Sequence, residues 1–138
     1  MSDWNTRVIE EFRAGHERVA DMFVRDQLLI LHTIGARSGQ ERVSPLAFLR
    51  EGERLLVVAS AAGAPKHPAW YFNVVADPGV RLELWEDGEL VTVDARAEVP
   101  EGAEQERLRA SVFAQAPGFA DYQTKTDRVI PVVVLERL

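Results

Sequence analysis

The chain has 138 residues, 46% hydrophobic and 28% charged, which suits one domain (residues 1–138) around one core. It has no cysteine, so disulfides, thiolate metal sites and a cysteine nucleophile are excluded; its three histidines, His16, His32 and His67, fall in no metal-ligand spacing. Sixteen basic residues against 22 acidic ones give a net charge of −6, which argues against non-specific nucleic-acid binding.

Residues 4–14 are predicted as an amphipathic helix, with Trp4, Val8, Ile9 and Phe12 on one face, Asp3 as N-cap and Gly15 as the stop. Residues 27–33 (QLLILHT) read as a buried strand in which His32 alternates with core residues as a structural histidine. Residues 42–49 (RVSPLAFL) and 54–60 (RLLVVAS) are expected to pair as a hairpin across residues 50–53. A helix begins at Pro68 and runs to about Val75, closed by Asp77-Pro78-Gly79. Residues 80–86 and 89–97 form a second hairpin on Asp87-Gly88, with Val80, Leu82 and Leu84 on the buried face. Residues 101–115 are predicted helix, carrying Leu108, Val112 and Phe113, with Glu101, Glu104 and Glu106 where the helix dipole favours them. Residues 129–135 are the last strand, and Pro131 near its start marks an edge or terminal position. Six strands in antiparallel pairs and about three helices predict an α+β fold around a small antiparallel barrel. No apolar run reaches the length of a membrane span and residues 1–16 contain no signal-type apolar stretch, so a cytoplasmic protein without stable membrane insertion is expected.

Four segments carry groups suited to chemistry. Residues 33–42 (TIGARSGQER) run from a strand into a turn holding Gly35, Gly39, Ser38, Arg37 and Arg42. Glycine lets backbone N–H groups close on an anion, and arginine adds charge-assisted hydrogen bonds. Taken alone, the segment is better explained as a solvated hairpin. Residues 59–68 (ASAAGAPKHP) place small residues ahead of a helix N-terminus, leaving room for a flat ligand beside free N–H groups; an ordinary proline-capped loop is the alternative. Trp70 and Asn73 stand one helical turn apart; Trp70 reads as a packing anchor, whereas a buried Asn73 needs hydrogen-bond partners. Residues 119–128 (FADYQTKTDR) gather polar and aromatic side chains before the last strand, where Tyr122 is either a donor to a substrate oxygen or a surface ring. The histidines are isolated and support no Ser-His-Asp arrangement. The 14 arginines against two lysines, Lys66 and Lys125, read first as compositional bias.

Together these segments form an ordered set of motifs: Thr33-x-Gly35-x-Arg37-Ser38-Gly39-x-x-Arg42-x-x-Pro45-Leu46, Val57-Val58-Ala59-Ser60, Gly63-Ala64-x-Lys66-x-Pro68-x-Trp70-Tyr71-x-Asn73, Asp77-Pro78, and Asp121-Tyr122-Gln123-x-x-Thr126-Asp127-Arg128-x-Ile130-Pro131. Over about residues 5–138 the set resembles the nitroreductase family of deazaflavin-dependent oxidoreductases. The resemblance implies a split β-barrel of the FMN-binding type. It also implies coenzyme F420, an 8-hydroxy-5-deazaflavin with a phosphate and a poly-glutamate tail that gives up a hydride from C5. It assigns Gly35, Arg37, Ser38, Gly39 and Arg42 to the phosphate and tail. Ser44, Pro45, Ala59, Ser60, Lys66, Pro68, Trp70, Tyr71 and Asn73 complete the cofactor cradle, with Arg37, Arg42 and Lys66 as a local basic patch. Ser60 and Tyr122 are the implied donors to an acceptor oxygen. The implied acceptors are small electron-poor molecules: quinones, enones or nitroaromatics. An FMN-dependent split-barrel enzyme and a non-catalytic deazaflavin-storage protein are the alternatives, and monomer against homodimer stays open. One departure stands out. The nitroimidazole-activating relative carries three tyrosines in the segment matching residues 116–122; this chain keeps only Tyr122, with Ala116 and Phe119 at the other two positions.

Overall fold

A computed structural model describes residues 3–138. Helix α1 (Asp3–Arg13) buries Val8, Ile9 and Phe12. Trp4 is 45% exposed rather than buried, because α1 packs through its last two turns only, and Asp3 is the first helical residue rather than its cap. A two-residue ribbon follows, β1 (Arg18–Val19) with β2 (Phe23–Val24), too short for any alternation to betray. Strands β3 (Leu28–Ile34) and β4 (Glu41–Ala47) pair along their whole length.

The expected strand over residues 42–49 is broken. Phe48 is buried and its N–H donates to Gln27 O at 3.0 Å, so the chain turns out of β4 into a separate β5 (Leu49–Glu51). Only β5 pairs with β6 (Arg54–Val58), and β4 and β5 lie at opposite edges of the sheet. Helix α2 (Ala69–Ala76) starts after Pro68 as expected. The hairpin of β7 (Gly79–Glu86) and β8 (Glu89–Glu98) turns on Asp87 and Gly88, both with positive φ (51° and 78°), the twist that matches the flanking strands. Helix α3 (Gly102–Gln115) is followed by α4 (Pro117–Gln123), which the sequence pattern did not separate from its loop.

The last strand, β9 (Val132–Arg137), lies between β8 and β6, inside the sheet rather than at an edge. Pro131 sits just before it, where its missing N–H breaks no ladder bond, and its carbonyl accepts from Ala59 N–H at 3.0 Å. The seven strands run in the order β4-β3-β7-β8-β9-β6-β5, all antiparallel, and curl into a half-barrel. Its concave face holds Leu29, Leu31, Leu55, Val57, Leu82, Leu84, Val133 and Leu135, plugged by Trp70 and Val74 of α2. Helix α1 covers Leu28 and Ile30 on the other face of β3; α3 covers Leu56, Val58, Val132 and Val134 through Leu108 and Val112. Both faces of β3, β6 and β9 are therefore covered, which is why these strands read as unbroken apolar runs.

His32 is structural, as expected. Its Nε2 lies 2.6 Å from Glu83, whose carboxylate also accepts two hydrogen bonds from Arg13 of α1 at 2.7 and 2.8 Å. Among the described residues, no helix is long and apolar enough to cross a membrane, and no cluster of three or more side chains is placed to hold a metal ion.

Candidate active site

Residues 35–40, which close the β3–β4 hairpin, are shaped by their own backbone. Gly35 N–H donates to Gln40 O at 2.7 Å, Gly39 N–H to Gly35 O at 2.9 Å, and Gln40 N–H to Ser38 Oγ at 3.2 Å. A Cβ on Gly35 would lie 2.5 Å from Ser38 Oγ, so a side chain there would displace the hydroxyl that holds the turn. Asn73, buried on α2, fixes the loop from below. Its Oδ1 accepts from Ala36 N–H at 2.9 Å and its Nδ2 donates to Thr33 Oγ1 at 3.1 Å. The need of a buried Asn73 for partners is thus met inside the protein, and the residue positions the loop.

Arg37 and Arg42 extend from this loop and the start of β4. Neither has an acidic partner among the described residues, whereas nine other arginines are in ion pairs. Both border a cavity of about 850 Å³ that also takes in Gly35, Ser38, Ser44, Trp70 and Asn73. Two guanidiniums without an acidic partner, in a protein of net charge −6, give this cavity donors suited to an anion, with Glu41 also on its wall.

Trp70 is also part of the wall of a second cavity of about 400 Å³. Pro45 of β4, Ser60 and Pro68 of the β6–α2 loop, and Phe119 and Tyr122 of α4 line it, joined by Met22 and Phe23 from the ribbon. The hydroxyls of Ser60 and Tyr122 have no hydrogen-bond partner among the described residues and are not sealed from solvent. An apolar chamber with two free hydroxyl donors can hold a flat ring and polarise an oxygen beside it.

The loop between β6 and α2 is held in a costly shape. Ala61 and Ala62 have φ of 45° and 54°, a left-handed conformation that costs roughly 1–2 kcal/mol per non-glycine residue. At Gly63 (φ 83°) a Cβ would lie 2.9 Å from Tyr122 O, so α4 rests directly on the loop. Arg128 fastens the arrangement: it donates to Ala59 O (3.1 Å), Ser60 O (2.8 Å) and Ala64 O (2.9 Å), and it meets His67 Nδ1 at 2.9 Å. Burial, then the charge of Arg128, holds the His67 imidazole below its ordinary value, and burial lowers Arg128 itself.

Of the residues assigned from sequence, Gly35, Arg37, Ser38, Arg42, Ser44 and Asn73 border the larger cavity, Pro45, Ser60, Pro68 and Tyr122 the smaller, and Trp70 both. Gly39, Ala59, Lys66 and Tyr71 border neither. Gly39 and Lys66 are exposed, Ala59 is wholly buried with its carbonyl on Arg128, and Tyr71 stacks on His67 at 4.4 Å. Sequence reasoning missed His67 in the larger cavity, Met22 and Phe23 in the smaller, and the fastening role of Arg128. The contacts of Arg128 reach 61 to 69 residues back along the chain, which no local pattern records.

The model of the F420H(2)-dependent quinone reductase family matches residues 4–137. An F420H(2)-dependent quinone reductase of Mycobacterium tuberculosis is 39% identical over 110 residues, 79% of this chain and 72% of the relative. The solved structure of an F420-H2-dependent reductase, FDR-A, superposes with a TM-score of 0.66 at 40% identity, covering 80% of this chain and 94% of that one. A second solved structure, described as a domain-swapped dimer, gives a TM-score of 0.68 at 37% identity, covering 93% and 95%. A family match over nearly the whole chain and two relatives near 40% identity, one of them sharing the fold, show that this chain belongs to the F420H(2)-dependent quinone reductase family.

Proposed function

We propose that this protein holds reduced coenzyme F420 across the two cavities that meet at Trp70, and that it reduces a quinone-type acceptor in the smaller one. The observation that carries this reading is the division of labour at Trp70: unpaired guanidiniums on one side, unpaired hydroxyls in an apolar chamber on the other. The residues present fit the coenzyme. Arg37 and Arg42 are the donor set for a phosphate and tail carboxylates, and the first N–H groups of α2 add a favourable dipole. Pro45, Pro68 and Trp70 offer apolar walls to a flat tricycle.

When bound in reduced form, the deazaflavin supplies the hydride. The chain supplies the setting. Trp70 and the Arg128-fastened loop fix where a ring can lie, while Phe119, Met22 and Phe23 add apolar walls beside the acceptor. Ser60 Oγ–H and Tyr122 Oη–H donate to the acceptor oxygen as negative charge grows there. Enones and nitroaromatics present the same kind of oxygen and are the other acceptor classes this chamber suits. A homodimer is the assembly we favour, since a relative at 37% identity is described as a dimer; sedimentation at working concentration tests it.

The deciding experiment titrates the protein with F420 and with FMN at one salt concentration, then supplies reduced F420 and a quinone. Tighter F420 binding and steady oxidation are expected. Equal or tighter FMN binding would overturn the cofactor assignment, and binding without turnover on any quinone, enone or nitroaromatic would make this a storage protein.

A further inference from the structure

We propose that His67 binds the cofactor as a neutral imidazole, its tautomer fixed by Arg128 so that Nε2–H donates to the phosphate of the deazaflavin coenzyme. The proposal rests on the F420 reading above. Its own ground is the contact between Arg128 Nη1 and His67 Nδ1 at 2.9 Å. A guanidinium has donors and no acceptor, so Nδ1 must carry a lone pair, and the one proton of the neutral ring then sits on Nε2. A proton on Nδ1 would point at the guanidinium.

The ring is held in place besides. Its face lies on Tyr71, with centroids 4.4 Å apart, and Phe72 meets it at 5.7 Å. Nε2 has no partner among the described residues, and His67 borders the larger cavity together with Arg37 and Arg42. The result is a ring-fixed, uncharged donor on a residue that lines the same cavity as two guanidiniums without an acidic partner. Three more of the Arg128 donors go to Ala59, Ser60 and Ala64, so a single guanidinium sets both the loop of the smaller cavity and the imidazole of the larger. Arg128 is accordingly a positioning residue for the two halves of the site.

The test combines binding with a direct reading of the tautomer. Coenzyme F420, and a deazaflavin fragment lacking phosphate and tail, are titrated against wild type, His67→Ala, His67→Asn and His67→Gln. The glutamine amide reaches the place of Nε2, whereas the asparagine amide reaches only that of Nδ1. Ala and Asn should weaken F420 binding roughly tenfold, Gln should recover most of it, and all four proteins should bind the fragment alike. Unchanged F420 affinity in His67→Ala, or a loss that carries over to the fragment, overturns the proposal. Long-range nitrogen–proton NMR of the coenzyme-free wild type should show Nδ1 bare and Nε2 protonated, and Arg128→Met should give a tautomer mixture. A protonated Nδ1 in wild type overturns the lock whatever the affinities. Wild-type protein that binds no F420 overturns the cofactor assignment instead, a result distinct from wild type and His67→Ala binding it equally.

Discussion

Asn73 Oδ1 accepts a hydrogen bond from the Ala36 N–H at 2.9 Å, which ties the helix under the barrel to the loop that bears Arg37. Replacing Asn73 with Ala removes this bond and the one to buried Thr33, at a cost of about 1–3 kcal/mol. Thermal unfolding should register that loss, and coenzyme affinity should fall because the loop is no longer held. Asn73→Asp separates the two effects. The Thr33 hydroxyl can turn to donate, so the loop stays tied, yet a second carboxylate, besides Glu41, now borders the cavity proposed for the anionic cofactor. Coenzyme titration should therefore rank wild type above Asn73→Ala and Asn73→Ala above Asn73→Asp; tighter binding by the aspartate variant would refute the cavity assignment.

Arg37 and Arg42 are exposed and have no acidic partner among the described residues, so their removal should hardly touch stability. Each Arg→Ala change should cost about 1–3 kcal/mol of F420 binding, and the difference should shrink as salt rises. Fluorescence titrations at low and high ionic strength measure both. Coenzyme affinity unchanged in both variants would return residues 35–42 to the status of a solvated hairpin.

Glu83 makes stability depend on pH in a defined direction. Burial works to raise its carboxyl, but the hydrogen bonds from Arg13 and His32 outweigh burial and hold it below its ordinary value of 4.5. As pH falls, the unfolded chain takes up the proton first. The stabilisation is thus complete above 4.5 and is lost as pH drops from there through the folded value. Melting temperatures followed from about pH 6 to about pH 3 should fall less steeply for Glu83→Gln than for wild type, from a lower starting point. Parallel curves would mean that Glu83 contributes nothing to the acid limb.

The parts of this molecule that were legible in its sequence are those carried by short-range pattern. The Asp87-Gly88 turn, the proline before α2 and the 3–4 spacing of Val8, Ile9 and Phe12 each express a local rule, and each stands as expected. Where the chain departed from expectation, a distant partner decided. Phe48 leaves the strand because Gln27 captures its N–H, and β9 is central because β8 and β6 close on either side of it. The site divides the same way. Gly35, Arg37 and Arg42 stand together in one short turn that a reader of the sequence can single out, whereas His67 becomes interesting only once Arg128, 61 residues away, is seen to face it.

Tyr122 is the one tyrosine left in the segment 116–122, and the structure places its ring in the smaller cavity with Phe119 edge-on at 6.2 Å. Its hydroxyl has no partner among the described residues, so it is free to donate to an acceptor oxygen. Loss of one preorganised donor can cost on the order of 2–4 kcal/mol of transition-state stabilisation. This chamber is open and built partly from a loop, so about 1–2 kcal/mol, near tenfold in rate, is expected. Tyr122→Phe keeps the ring and deletes only the hydroxyl. It should lower turnover with a quinone and leave coenzyme affinity at the wild-type level, because the proposed anion site of Arg37 and Arg42 borders the other cavity, on the far side of Trp70. Were Tyr122 merely a wall, Tyr122→Phe would be silent and only Tyr122→Ala would slow the enzyme, since Ala opens the chamber beside Phe119. Turnover of both variants under saturating reduced coenzyme separates the two roles: a fully active Tyr122→Phe enzyme leaves the ring as a wall and moves the donor's task to Ser60.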